Sequence, residues 1–183
     1  MKTTNFYKLV FAVLFIMAVT PAFSQFSAGL ELGIPTWSNP SFGGASVSTG
    51  VAPGVSVKYE AAISGVDKLS WVASAGYLSF STKVSDSGQS TTFSTSVIPI
   101  TGGVKYYFQE SGSGFYGAAD LGFFLLNTAA NSDLGTPSSS STKFGLGIGA
   151  GYRINSFDFS LRYNLPSDAN YIALRAAYVF GGK

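Results

Sequence analysis

From Pro53 to Ser64 the chain alternates with period two. Val55, Val57, Tyr59, Ala61 and Ile63 project to one side, and Ser56, Lys58, Glu60 and Ala62 to the other. Successive side chains of a strand point to opposite faces, so the pattern predicts a β-strand with one apolar and one polar face. The division recurs from Phe157 to Asn164, where Phe157, Phe159, Leu161 and Tyr163 oppose Asp158, Ser160, Arg162 and Asn164. It recurs again from Ile172 to Phe180, with Arg175 as the lone charge opposite Ile172, Leu174, Ala176, Tyr178 and Phe180. Side-chain size separates the faces too. Between Lys143 and Ile154 one face carries Phe144, Leu146, Ile148, Ala150, Tyr152 and Ile154, and the other carries Lys143, Gly145, Gly147, Gly149, Gly151 and Arg153.

Extended along the chain, the alternation predicts eight strands, roughly at 26–35, 53–64, 69–80, 93–108, 115–126, 143–154, 157–164 and 170–180. Three connections are long and rich in Ser, Thr, Gly, Asn and Pro: Thr36 to Ala52, Ser81 to Thr92 and Asn127 to Thr142. Three are short: Gly65 to Lys68, Gln109 to Gly114 and Asn155-Ser156. Leu165 to Ala169 is short but occupies the slot of a long one. Long and short connections alternate in a transmembrane β-barrel, whose short turns lie on the periplasmic side and whose even strand count returns both ends there. The expected fold is therefore all-β, an eight-stranded antiparallel up-and-down barrel with its bulky face toward lipid. The glycine face would line an interior only just wide enough for side chains, leaving room for arginines and tyrosines from other strands. The third strand is less regular, because Trp71, Ala73, Ala75 and Tyr77 compete with Val72, Leu78 and Phe80 for the outer face, and a bulge is expected there. Tyr106, Phe108, Phe115, Tyr152, Phe157, Tyr163 and Tyr171 fall near strand ends, where interfacial aromatic belts form.

Composition supports a surface not built for water. Charged residues make up 11% of the chain, against about 25% in an ordinary soluble domain. Aromatics reach 15%, and there are 22 glycines. Lys2 and Lys8 precede an apolar run from Leu9 to Val19 and the sequence Pro21-Ala22-Phe23-Ser24, which marks residues 1–24 as a secretory signal peptide and residues 25–183 as one barrel domain. The run is shorter than the ~20 residues a spanning helix needs. Of the 11 Lys and Arg, Lys2 and Lys8 lie in this leader, so the mature chain balances nine basic against nine acidic residues. Nucleic acid is not an expected partner of such a neutral domain. The chain has no Cys, which excludes disulfides and lipoprotein processing.

The segment Ile98-Pro99-Ile100, with Lys105-Tyr106-Tyr107-Phe108 before a short turn, resembles a middle strand of the small outer-membrane β-barrel proteins, the OmpA/OmpX-like family. The ending Leu174-Arg175-Ala176-Ala177-Tyr178-Val179-Phe180 is similar to the close of such barrels, with Gly181-Gly182-Lys183 as an added tail. The resemblance implies residence in a Gram-negative outer membrane. It further implies contact with outer-membrane lipid, and an assembly signal at Leu174, Ala176, Tyr178 and Phe180 read by the outer-membrane assembly machinery. It implies no single activity.

Little catalytic chemistry is legible. The chain has no His, the commonest general base, and with no Cys it lacks both favoured zinc ligands. Gly112-Ser113-Gly114-Phe115-Tyr116-Gly117 matches the dinucleotide fingerprint by letter. A strand pattern follows it rather than a helix, so it reads as a hairpin turn. No cofactor, metal or catalytic residue is expected. The inward charges remain: Glu31, Lys58, Glu60, Lys105, Asp120, Arg153, Asp158, Arg162 and Arg175, five positive and four negative. They are expected to form a lumen network that plugs the barrel, consistent with a non-catalytic structural or surface-interaction role. One rival is a small channel lined by the same groups. Another is a secreted lipocalin-like barrel with its bulky face turned inward around a ligand. The polar loops, with Trp37 and Phe42, are candidates for contact with a ligand or partner.

Overall fold

The computed structural model describes residues 24–36, 46–86, 89–109, 112–131, 138–167 and 169–181. The expected signal peptide, apart from Ser24, and the loop aromatics Trp37 and Phe42 lie outside the described residues.

Alternation is converted into nine strands: β1 (Ser24–Pro35), β2 (Ser46–Thr49), β3 (Ala52–Ala62), β4 (Leu69–Asp86), β5 (Gln89–Tyr107), β6 (Gly114–Asn131), β7 (Ser138–Ile154), β8 (Phe157–Pro166) and β9 (Tyr171–Phe180). Eight of them close into an antiparallel ring in chain order. Each pairs with its sequence neighbours, and β1 closes on β9 from Phe26↔Phe180 to Pro35↔Tyr171. The ninth, β2, pairs only with the far end of β4, from Ser46↔Ser85 to Thr49↔Thr82. Closure leaves the ring without a free sheet edge, the condition for a β-structure in lipid.

The short connections are set by local chemistry. Asn155-Ser156 joins β7 to β8, with Asn155 in the left-handed region at φ 52°, where asparagine is among the most tolerant residues. Between β5 and β6, Gly112 and Gly114 take φ of 79° and 81°. The dinucleotide-like letters are thus a turn opening into a strand.

The lipid face follows the alternation. Phe144, Leu146, Ile148, Tyr152 and Ile154 of β7 are exposed on the outside of the ring, as are Phe157, Phe159 and Leu161 of β8 and Leu174, Tyr178 and Phe180 of β9. At the short-turn end the outward aromatics touch in sequence, with Phe26–Tyr59 centroids 4.8 Å apart, Tyr59–Trp71 5.1 Å, Phe115–Tyr152 4.6 Å and Phe157–Tyr178 5.7 Å. These contacts form the interfacial girdle of a spanning barrel.

Three expectations are corrected. Strand β4 has no bulge. Its register with β5 stays in step from Leu69↔Tyr106 to Asp86↔Gln89, missing bridges only at Gly76 and Tyr77, opposite Pro99 and Ile98, the former without an N–H to give. Trp71, Ala73, Ala75 and Tyr77 face outward, and Leu78 and Phe80 turn into the lumen, fully buried. Tyr171 also departs from its expected place in the belt, because it points inward and is 1% exposed. Finally, much of Ser81–Thr92 and Asn127–Thr142 is strand rather than loop. β4 to β7 run 17 to 19 residues, whereas β1, β3, β8 and β9 run 10 to 12. About 9–11 residues suffice to span, so one side of the barrel continues past the apolar band as a polar sheet. Hydroxyl pairs hold its inner face, with Thr49 and Thr82 Oγ1 atoms 3.0 Å apart and those of Thr95 and Thr128 3.1 Å apart. Thr is a good strand former that needs no apolar partner, which is why a hydrophobicity pattern misses these extensions.

Candidate functional site

Inside the ring the side chains separate into two layers. Near the short-turn end, Lys105 from β5 is the hub. Its Nζ donates to Glu60 Oε2 at 2.8 Å and to Asp158 Oδ2 at 3.1 Å, from β3 and β8 across the lumen. Two tyrosines close the second oxygens. Tyr107 OH donates to Glu60 Oε1 at 2.7 Å, and Tyr116 OH donates to Asp158 Oδ1 at 2.9 Å. The ammonium also lies 4.1 Å from the Tyr116 ring centroid, a favourable placement over a π face.

Arg175 enters from β9. Its Nε donates to Ser56 Oγ at 2.8 Å, its Nη2 to Ser27 Oγ at 2.9 Å, and its Nη1 to Asp158 Oδ1 at 3.4 Å. Arg153 Nη1 stands 3.8 Å from Glu60 Oε2. One level further from the short turns, Arg162 Nε and Asp120 Oδ2 are 3.4 Å apart. Glu31 lies across the β1–β9 ladder from Arg175. Lys58 is buried without an ion pair to any described carboxylate.

All nine charges read from the sequence therefore face the lumen. Seven of them join in ion pairs: Glu60, Lys105, Arg153, Asp158 and Arg175 in one cluster, and Asp120 with Arg162 in a second. Lys105, Asp158 and Arg175 are each at most 5% exposed, and a charge so far from water needs these partners. The glycine face makes room for them. A Cβ on Gly151 would overlap the Tyr116 ring, and one on Gly147 would fall 2.6 Å from Asp120 Oδ1.

The second layer was not anticipated. Toward the long strands Leu78, Phe80, Val97, Phe124, Tyr171, Ala52 and Ala173 form one buried apolar cluster across the lumen. Phe80 meets Tyr171 edge-on at 5.7 Å, and Phe124 meets it at 6.4 Å. Parity along each strand held the signal, since Leu78 and Phe80 share the face of Val72, and Tyr107 shares that of Lys105. The alternation leaves room for tyrosines in the lumen without singling out Tyr107 and Tyr116, and inward charge does not mark the apolar group.

Closed antiparallel strands, an apolar outer band with an aromatic girdle and a packed polar interior define an integral β-barrel of the bacterial outer membrane. The chain belongs to the outer membrane protein beta-barrel domain family, whose model matches residues 9–178. It is thus an OmpA/OmpX-like protein of the Gram-negative outer membrane, embedded in lipid. No curated protein sequence matches it. Among solved structures it is similar to the attachment invasion locus protein of Yersinia pestis, at 16% identity and a TM-score of 0.53, covering 86% of this chain and 97% of that one. It is also similar to the outer membrane protein OprG of Pseudomonas aeruginosa, at 12% identity and 0.56, covering 89% and 98%. Neisserial surface protein A matches at 14% and 0.52, over 85% and 95%. At these identities the likeness concerns the fold.

Proposed function

We propose that the protein is a closed, non-catalytic barrel with a structural or surface-interaction role, plugged rather than open. The observation that carries this reading is the stacking of two seals along one lumen. The ionic layer around Lys105 fills the short-turn half, and the apolar cluster of Leu78, Phe80, Val97, Phe124 and Tyr171 fills the half above it. Eight strands leave an interior that side chains can fill, and an ion crossing it would meet a desolvating barrier with no polar partner.

The absence of any His in the chain weighs against the usual acid–base chemistry. Interaction is assigned to the polar extension of β4 to β7. Its outward face carries Ser79, Ser81 and Lys83 on β4, Thr92, Ser94 and Ser96 on β5, Asn127 on β6, and Ser138, Ser140 and Thr142 on β7. On this reading residues 1–24 are a cleaved leader, and Leu174, Ala176, Tyr178 and Phe180, which project outward, are the face the assembly machinery engages.

Planar-bilayer recording tests the plug. The purified barrel is expected to show no unitary conductance at moderate voltage. Steady single-channel steps from the wild-type protein would make it a small channel instead.

A further inference from the structure

The β1–β9 ladder differs from every other ladder of the ring. Its strands stand first and last in the chain, so no turn joins them, and the ring closes only through the pairing from Phe26↔Phe180 to Pro35↔Tyr171. Bringing such distant segments together costs more chain entropy than folding a short hairpin.

One side chain bridges this seam from inside. Arg175 of β9 donates from Nη2 to Ser27 Oγ of β1 at 2.9 Å and from Nε to Ser56 Oγ of β3 at 2.8 Å, partners 148 and 119 residues away in sequence. Nη2 also reaches the Ser27 carbonyl oxygen at 3.5 Å, and Nη1 reaches Asp158 Oδ1 of β8 at 3.4 Å. The planar guanidinium fork suits several acceptors held at fixed angles. Among the described residues, no other side-chain hydrogen bond or ion pair ties β1 into the lumen network.

The register leaves a path for the arginine. Ala177, Gly29 and Ser56 lie in one row across β9, β1 and β3. To reach Ser56 from β9, Arg175 lies over Ala177 and Gly29, two residues with almost no side chain. A Cβ on Gly29 would fall 2.5 Å from Ala177 Cβ, so the seam beneath the arginine is already packed to contact.

We propose that Arg175 is the latch of the barrel, a positioning residue that couples closure of the β1–β9 seam to assembly of the lumen network. Its Nε and Nη2 find acceptors only when β1 has docked beside β9 with β3 behind it. With the seam open, its partner within the network is Asp158, which Lys105 already holds at 3.1 Å. Donors left unmet in a closed interior are costly, so the arginine favours the closed ring over one with a frayed seam. The latch also selects register. A two-residue slip of β1 against β9 keeps every side chain on its proper face, yet it moves Ser27 by about 7 Å along the strand, out of reach of the fork.

Amide hydrogen exchange tests this. The full chain is refolded into lipid vesicles, and exchange of the β1 and β9 amides is compared with that of β6 and β7. In Arg175→Met the seam amides are expected to exchange at least about tenfold faster, the factor for losing one hydrogen bond to a charged group, with β6 and β7 unchanged. Ser27→Ala should give a smaller acceleration at the same amides. Ser27→Ala added to Arg175→Met should give nothing further, because its partner is already gone. Lys105→Met, which leaves the Arg175 fork intact, should not raise seam exchange relative to β6 and β7. Uniform acceleration around the ring in Arg175→Met, no acceleration at all, or additive effects in the double variant would overturn the proposal. If Arg175→Met does not fold, Ser27→Ala decides: acceleration confined to the seam supports the latch, and uniform or absent acceleration overturns it.

Discussion

Lys105 and Asp158, 53 residues apart in sequence, meet at 3.1 Å across the lumen, and the same lysine reaches Glu60 at 2.8 Å from the opposite wall. One ammonium therefore ties β5 to both β3 and β8, strands that are not its ladder partners. Backbone pairing sets the circumference of the barrel, and this contact spans its interior.

Removal of the hub should be costly, because two buried carboxylates lose their shared counter-charge. Lys105→Met is expected to destabilise the barrel by about 3–5 kcal/mol, the usual cost of breaking a buried pair from one side. Urea unfolding in lipid vesicles measures it. A double-mutant cycle with Glu60→Gln should give a coupling of about 0.5–3 kcal/mol, and strict additivity would show that the pair does not interact.

The apolar layer should behave as a protein core. Phe124, fully buried against Tyr171, is expected to cost about 3–5 kcal/mol when replaced by Ala. Phe123, its neighbour on the lipid face and 56% exposed, should cost less on the same replacement. Equal losses would mean that the two faces of β6 are not separated.

The height of the membrane can be read along one strand. Ile148 and Ser140 of β7 share the outward face, but Ile148 stands in the apolar band and Ser140 in the polar extension. Ile148→Arg is expected to lose about 2–4 kcal/mol, as at a bilayer midplane, and Ser140→Arg almost nothing. A comparable loss at Ser140 would place the extension inside the membrane.

The small inner face of β7 makes a steric prediction. Gly151→Val drives a side chain into the Tyr116 ring, whereas Ala150→Val adds bulk toward lipid. Folded barrels migrate differently on a gel before and after boiling. That shift should appear in outer-membrane fractions for the wild type and Ala150→Val and be lost for Gly151→Val. Its retention in Gly151→Val would show that the lumen has slack at this level.

Alternation of Val55 to Ile63 against Ser56 to Ala62, repeated through β7, β8 and β9, was enough to establish strands, barrel and membrane, because period two is a local property and lipid rewards it wherever it occurs. It also assigned all nine lumen charges to the inside. What no local pattern contains is which inward groups share a level. Lys105, Glu60 and Asp158 come from three separate strands, and only ring closure and register bring them together. The same holds for Phe124 and for Leu78, Phe80 and Tyr171, of which the last three suggest lipid by their apolar character until parity is set by the strands beside them. The polar extensions of β4 to β7 were hidden for the opposite reason: their Ser and Thr residues carry no hydrophobic signal, and their strand state rests on backbone pairing continued from the barrel below. Local chemistry thus determined the faces, and the closed tertiary structure decided the partners, since a contact across a lumen depends on circumference and register rather than on neighbours in the chain.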